Sequence, residues 1–120
     1  MSYDIYVIDQ DDKVIYFDFA HQFKGGTYSL YGTNEAWLNI TYNYHKFYAE
    51  HMKDGINYLH NKRVLGTLDL LETIISKMKG TPSDDYWEAT EGNAKAALSD
   101  LFMLGEVACI YDKLARWKIS

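Results

Sequence analysis

The chain has 120 residues, of which 48% are hydrophobic and 16% aromatic, with one proline and eight glycines. That profile fits one compact domain able to bury a core, and it excludes a disordered or fibrous polymer. Twelve Lys and Arg against 17 Asp and Glu give a net charge of -5, which lacks the basic footprint of phosphate-backbone recognition and argues against non-specific nucleic-acid binding.

Tyr3 to Asp9 and Val14 to Asp18 are short β-branched and aromatic runs separated by Gln10-Asp11-Asp12-Lys13, a hairpin pattern. Gly25-Gly26 precedes a third run, Thr27 to Tyr31, and Gly32-Thr33-Asn34-Glu35 reads as a turn before a fourth, Ala36 to Tyr44. Within the fourth run Trp37, Ile40, Tyr44, Phe47 and His51 would also share a helical face. Asn, Thr, Ile and Tyr favour the strand reading, because propensity decides what periodicity leaves open. His45 to about Lys53 is helix-tolerant and stops at Asp54-Gly55. Lys53 to Gly66 reads as a long exposed connection. Thr67 to Lys79 reads as a helix capped by Thr67, with Leu68, Leu71, Ile75 and Met78 on one face and Gly80 and Pro82 ending it. A short acidic turn at 84–88 precedes a long amphipathic helix from near Thr90, marked by Ala94, Ala97, Leu101, Leu104, Ala108, Tyr111 and Ala115.

The expected fold is a two-layer α+β domain spanning residues 1–120. A four-stranded antiparallel meander in residues 1–44 packs on helices in residues 45–120. The lone Cys109 lies in an apolar run and reads as a small buried hydrophobe. No stretch approaches the ~20 apolar residues of a membrane span, and Met1-Ser2-Tyr3-Asp4 opens no signal peptide. A cytoplasmic protein with no membrane partner is expected.

Two segments concentrate recognition chemistry. Nine of the 11 tyrosines lie in the first sixty residues, and each combines a rigid ring with a hydroxyl. On a strand, Asn39, Thr41 and Asn43 would project from one face as a row of amides and a hydroxyl beside Trp37, Tyr42 and Tyr44. The second segment, at a helix entrance, holds Asp85, Tyr86, Trp87, Thr90, Glu91 and Asn93. Helix capping and the positive helix end account for Thr90 and the acids without any ligand. The first sixty residues also carry eight acidic and four basic side chains, a balance suited to a basic protein surface.

Catalytic signals are weaker. His21, His45, His51 and His60 form no metal-binding spacing. Asp85, Glu88 or Glu91 with His45 or His51 would be needed for a small hydrolase or transferase. No GxSxG, CxxC or phosphate-cradling loop occurs. The expected catalytic, metal and cofactor sets are therefore empty.

The strings Trp37-Leu38-Asn39-Ile40-Thr41-Tyr42-Asn43-Tyr44 and Asp85-Tyr86-Trp87-Glu88-Ala89-Thr90-Glu91-Gly92-Asn93-Ala94 resemble a family of small uncharacterised bacteriophage and prophage proteins, over most of the chain. The resemblance implies a bacterial host cytoplasm and a protein acting stoichiometrically on a host component. The function expected is non-catalytic binding, as an inhibitor of host defence that sequesters a small polar or nucleotide-like ligand or covers a host protein surface. Trp37, Asn39, Thr41, Tyr42, Asn43 and Tyr44 would share one pocket with Asp85, Tyr86, Trp87, Thr90, Glu91 and Asn93. A phage structural or assembly protein, for which self-association is expected, is the alternative.

Overall fold

The computed structural model describes residues 1–25, 32–85 and 88–120. Its first strand, β1 (Ser2–Ile8), alternates side chains between two faces, with Ile5 and Val7 wholly buried. The strand β4 (Trp37–Thr41) pairs antiparallel along one edge of β1, with Ile5 opposite Leu38 and Tyr6 opposite Trp37. Along the other edge runs β5 (Arg116–Ile119), also antiparallel, with Val7 opposite Trp117 and Tyr6 opposite Lys118. One face of this sheet therefore carries Ile5, Val7, Leu38, Ile40, Trp117 and Ile119, none more than 8% exposed. The other carries the half-buried Asp4, Tyr6, Trp37 and Asn39.

Two further strands, β2 (Tyr16–His21) and β3 (Thr33–Glu35), form a separate two-stranded sheet. This corrects the four-stranded meander, although the α+β class with antiparallel sheets and helices packed on strands holds. The expected turn after Val7 does form: Asp9 Oδ1 accepts from the backbone N–H of Asp11 and Lys13, and Ile15 N–H donates to the Val7 carbonyl. Beyond it the chain cannot continue along β1, because β4 and β5 occupy both edges. So β2 pairs with β3, a strand within the Gly32-Thr33-Asn34-Glu35 segment expected to be a turn. His21 joins them: its Nδ1 accepts from Phe23 N–H at 3.2 Å, so its Nε2 carries the proton donated to the Glu35 carbonyl at 2.7 Å. The expected strand at Thr27 to Tyr31 lies outside the described residues.

The fourth expected strand stops at Thr41, whose hydroxyl accepts from Asn43 N–H and caps a 3-10 turn, Tyr42–Tyr44. The helix α1 (His45–Ala49) follows directly. Residues 53–66 are mostly exposed, as expected, but they are tied into the fold. A 3-10 turn, Gly55–Leu59, buries Ile56 and Leu59 completely, and the Asn61 N–H and Lys62 carbonyl bond the backbone of Trp117. Thr41 N–H likewise bonds the Gly25 carbonyl, so irregular chain shields both outer edges of the sheet.

The helix α2 (Val64–Lys77) starts a turn earlier than expected. Thr67 is therefore not its cap. Its hydroxyl donates to the Val64 carbonyl at 2.8 Å and accepts the Trp117 indole N–H at 2.8 Å. The helix α3 (Glu91–Tyr111) is capped by Thr90, as expected, through the Asn93 N–H. It ends four residues before Ala115, however. Asp112 turns the chain by accepting Leu114 N–H, and the buried Ala115 that extended the apparent helical series leads into β5. None of the helices among the described residues is long and apolar enough to cross a membrane.

Trp117 is the joint between layers, wholly buried and seated where Gly105 of α3 leaves room. A Cβ at Gly105 would lie 2.9 Å from Val64 Cγ1 and 3.0 Å from the Trp117 ring, whereas one at Gly66 meets nothing within 4 Å. Gly105→Ala should lower stability by about 1–3 kcal/mol through overpacking, and Gly66→Ala should raise it by about 0.5–1 kcal/mol through helix propensity; urea denaturation reads both.

Tyr48, also wholly buried, donates its hydroxyl to the Ala94 carbonyl at 2.8 Å. Burial pushes its phenol well above 10.0, with Tyr44 adding to the shift. The folded state thus keeps a proton that the unfolded chain releases, so stability is intact below about pH 10 and falls above it, by about 1.4 kcal/mol per pH unit. Tyr48→Phe should lessen that alkaline slope in unfolding curves recorded between pH 9 and 11.

Candidate functional site

The half-exposed face of the three-stranded sheet gathers acid and aromatic groups from β1 and β4. Asp4 stands opposite Asn39 in register, and Tyr6 opposite Trp37. One oxygen, Asp4 Oδ1, accepts both the Trp37 indole N–H at 3.1 Å and an Asn39 amide N–H at 2.9 Å. Two side-chain donors thereby fix the carboxylate and hold the indole edge toward it. Glu35 adds a second carboxylate, accepting the Tyr16 hydroxyl at 3.1 Å.

The phenols report the same negative field. Burial raises the Tyr6 pKa, and the charges of Asp4 and Glu35 raise it further. Tyr16 is raised first by its hydrogen bond to Glu35 and then by that charge. Both remain protonated donors at neutral pH. On the β5 side the exposed Lys118 stands opposite Tyr6. The only ion pair among the described residues is Arg116–Asp12, so neither Asp4 nor Glu35 has a cationic partner there.

The rest of the first expected segment is spent on folding. Thr41 is 8% exposed and acts as a cap. Tyr44 is wholly buried, edge-on to Tyr48 at 6.4 Å between ring centroids. Asn43 is exposed and gives its N–H to Thr41. Tyr42, 40% exposed, stacks at a tilt on Tyr3, 4.4 Å between centroids.

The second segment is a clamp. Asn93 is 2% exposed; its Oδ1 accepts Ser83 N–H, and its amide nitrogen donates to Ser83 Oγ and to the carbonyls of Asp85 and Glu88. Glu91 accepts Lys79 N–H at 2.6 Å. Asp85 is exposed, and its carboxyl beside Glu88 raises the Glu88 pKa. Tyr86 and Trp87 lie outside the described residues.

Beyond the first segment, Tyr48 of α1 reaches Ala94 at the start of α3 in the interior. The outward polar groups of the two segments are divided: Trp37 and Asn39 project from the sheet face opposite the buried one, whereas Thr90, Glu91 and Asn93 fasten the entrance of α3. The acids proposed for catalysis and the histidines are unconnected among the described residues. His45 Nδ1 bonds the Tyr3 hydroxyl at 3.1 Å, and His60 Nδ1 accepts Ile119 N–H. Cys109 is buried, and burial followed by the Asp112 and Glu106 charges pushes its thiol up, which suits an inert core residue.

Asp4, Tyr6, Tyr16 and Glu35 are missing from the set read out of the sequence. Strand alternation in Tyr3-Asp4-Ile5-Tyr6-Val7 does put Asp4 and Tyr6 on one face, but only the register shows that this face is shared with Trp37 and Asn39. Comparison with protein-family models, curated proteins and solved structures finds no match, so the reading of the site rests on its own geometry.

If Asn93 is a clamp, Asn93→Ala should cost about 1–3 kcal/mol by stranding buried polar groups. It should leave the Trp37 indole N–H resonance in place, as thermal unfolding and a proton–nitrogen NMR spectrum would show.

Proposed function

We propose that the protein is a non-catalytic binding protein that covers a basic surface of a partner protein with the face formed by Asp4, Tyr6, Trp37, Asn39 and Glu35. One observation carries this reading: a carboxylate held by two side-chain donors, beside an indole and a second carboxylate, with neither carboxylate in an ion pair among the described residues. Arginine and lysine side chains suit such a place, because carboxylates accept their N–H groups and aromatic faces attract their charge. Tyrosine and tryptophan are also the residues that anchor protein interfaces most often. A sheet face offers an open surface rather than an enclosure, which favours a protein partner over a sequestered nucleotide-like ligand. In the phage setting implied by the two sequence strings, the partner would be a host protein and the effect stoichiometric inhibition of host defence.

An NMR titration with an arginine-rich peptide tests the site, since the Trp37 indole N–H is a local reporter. That resonance should move on binding, and Asp4→Asn, which keeps the shape and an acceptor oxygen, should weaken binding about tenfold with a shallower salt dependence. An unmoved Trp37 resonance, or equal affinity for the Asp4→Asn variant, would overturn the assignment; shifts with a mononucleotide instead would favour sequestration.

A further inference from the structure

The side-chain bonds that hold the Asp4 carboxylate all fall on one of its two oxygens. Oδ1 accepts the Trp37 indole N–H at 3.1 Å and an Asn39 amide N–H at 2.9 Å, which together use both lone pairs of that atom. Among the described residues no group donates to Oδ2, and Asp4 makes no ion pair. The carboxylate thus meets a partner with one oxygen spent and the other open. Glu35 is also engaged on one side, its Oε1 accepting the Tyr16 hydroxyl at 3.1 Å. Lys118 shares this face opposite Tyr6 and stands in no ion pair among the described residues.

We infer that the basic residue received at Asp4 is a lysine rather than an arginine, and that Trp37 and Asn39 make that choice. It rests on the proposed role of the face as a cover for a basic protein surface, and it names the residue that Asp4 takes. Arginine's advantage over lysine at a carboxylate lies in its planar fork, which lays two parallel N–H groups against both oxygens at once. At Asp4 the second of those bonds has no lone pair left to receive it. An ammonium asks for less: each N–H needs one oxygen and no common plane, so Oδ2 alone serves it. The indole ring attracts either cation and does not decide between them; the saturated oxygen does. Trp37 and Asn39 are therefore positioning residues that also set selectivity, because the bonds that steady the carboxylate remove its two-oxygen edge.

Calorimetric titration of the full chain with two capped peptides of equal length and charge, a lysine–serine repeat and an arginine–serine repeat, tests the choice. The lysine peptide should bind about threefold tighter, and both should move the Trp37 indole N–H resonance. Asn39→Val, which keeps a strand-forming side chain of similar size, returns a lone pair to Oδ1. It should shift the affinity ratio about threefold toward arginine, with circular dichroism unchanged, and Trp37→Phe should shift it the same way. A purely structural role for these two residues would weaken both peptides together and leave the ratio where it was. An arginine peptide that binds the unaltered protein as tightly as the lysine peptide, or a ratio that neither variant moves, would overturn the choice of lysine while leaving the covering role intact. If neither peptide moves the Trp37 resonance, the covering role falls and the choice with it.

Discussion

The structure depends on one strand being paired on both sides. β1 can lie at the centre of the three-stranded sheet only because residues 116–119 return to its second edge while residues 37–41 hold the first. Once both edges are occupied, the alternation of β1 sorts its side chains between a dry face and a wet one. The hairpin partner is displaced into a sheet of its own. Trp117 fastens the arrangement: its ring fills the space left by Gly105, and its indole N–H satisfies the Thr67 hydroxyl inside α2. A single residue of the last strand thereby links the sheet to both long helices.

The same sorting gives the exposed face its character. Asp4 and Tyr6 are directed outward for the reason that Ile5 and Val7 are directed inward, and the register sets them against Asn39 and Trp37. Asp4 is then held by bonds from two neighbours on one strand, an arrangement that fixes the carboxylate before any partner arrives. Side chains already ordered in the free protein lose less freedom on association. Glu35 joins Asp4 near Tyr6, and Lys118, on the same face, flanks Tyr6 from β5.

Much of this was legible in the sequence wherever a local rule operated alone. The α+β class, the turn at Asp9 to Lys13 and the Thr90 cap all follow from short-range chemistry, whereas the helix expected to run to Asp54-Gly55 ends at Ala49. What escaped was set by distant partners. Arg116-Trp117-Lys118-Ile119 alternates polar and apolar residues, but four residues are too few to compete with the helical series that Ala115 continues. Thr67 resembled a cap because hydroxyl residues often are caps; its indole partner is fifty positions away. Asn93 and Thr90 were visible as part of a polar cluster, and both fasten the chain to itself. Trp37 and Asn39 were recognised one by one. Their common acceptor, Asp4, is thirty-odd positions distant and required the strand register.

Pairing the second edge of β1 with residues 116–119 also bears on how the molecule is made. The backbone bonds between Asp4 and Ser120 close a loop of nearly the whole chain, the kind of non-local contact that slows folding and must be reached before it is rewarded. During synthesis, β1 leaves the ribosome well before Arg116–Ile119 and has one edge unsatisfied until that strand has followed it. Over that interval the nascent protein carries a sticky strand whose natural mate does not yet exist, and this is the stage at which a chaperone would have the most to offer it.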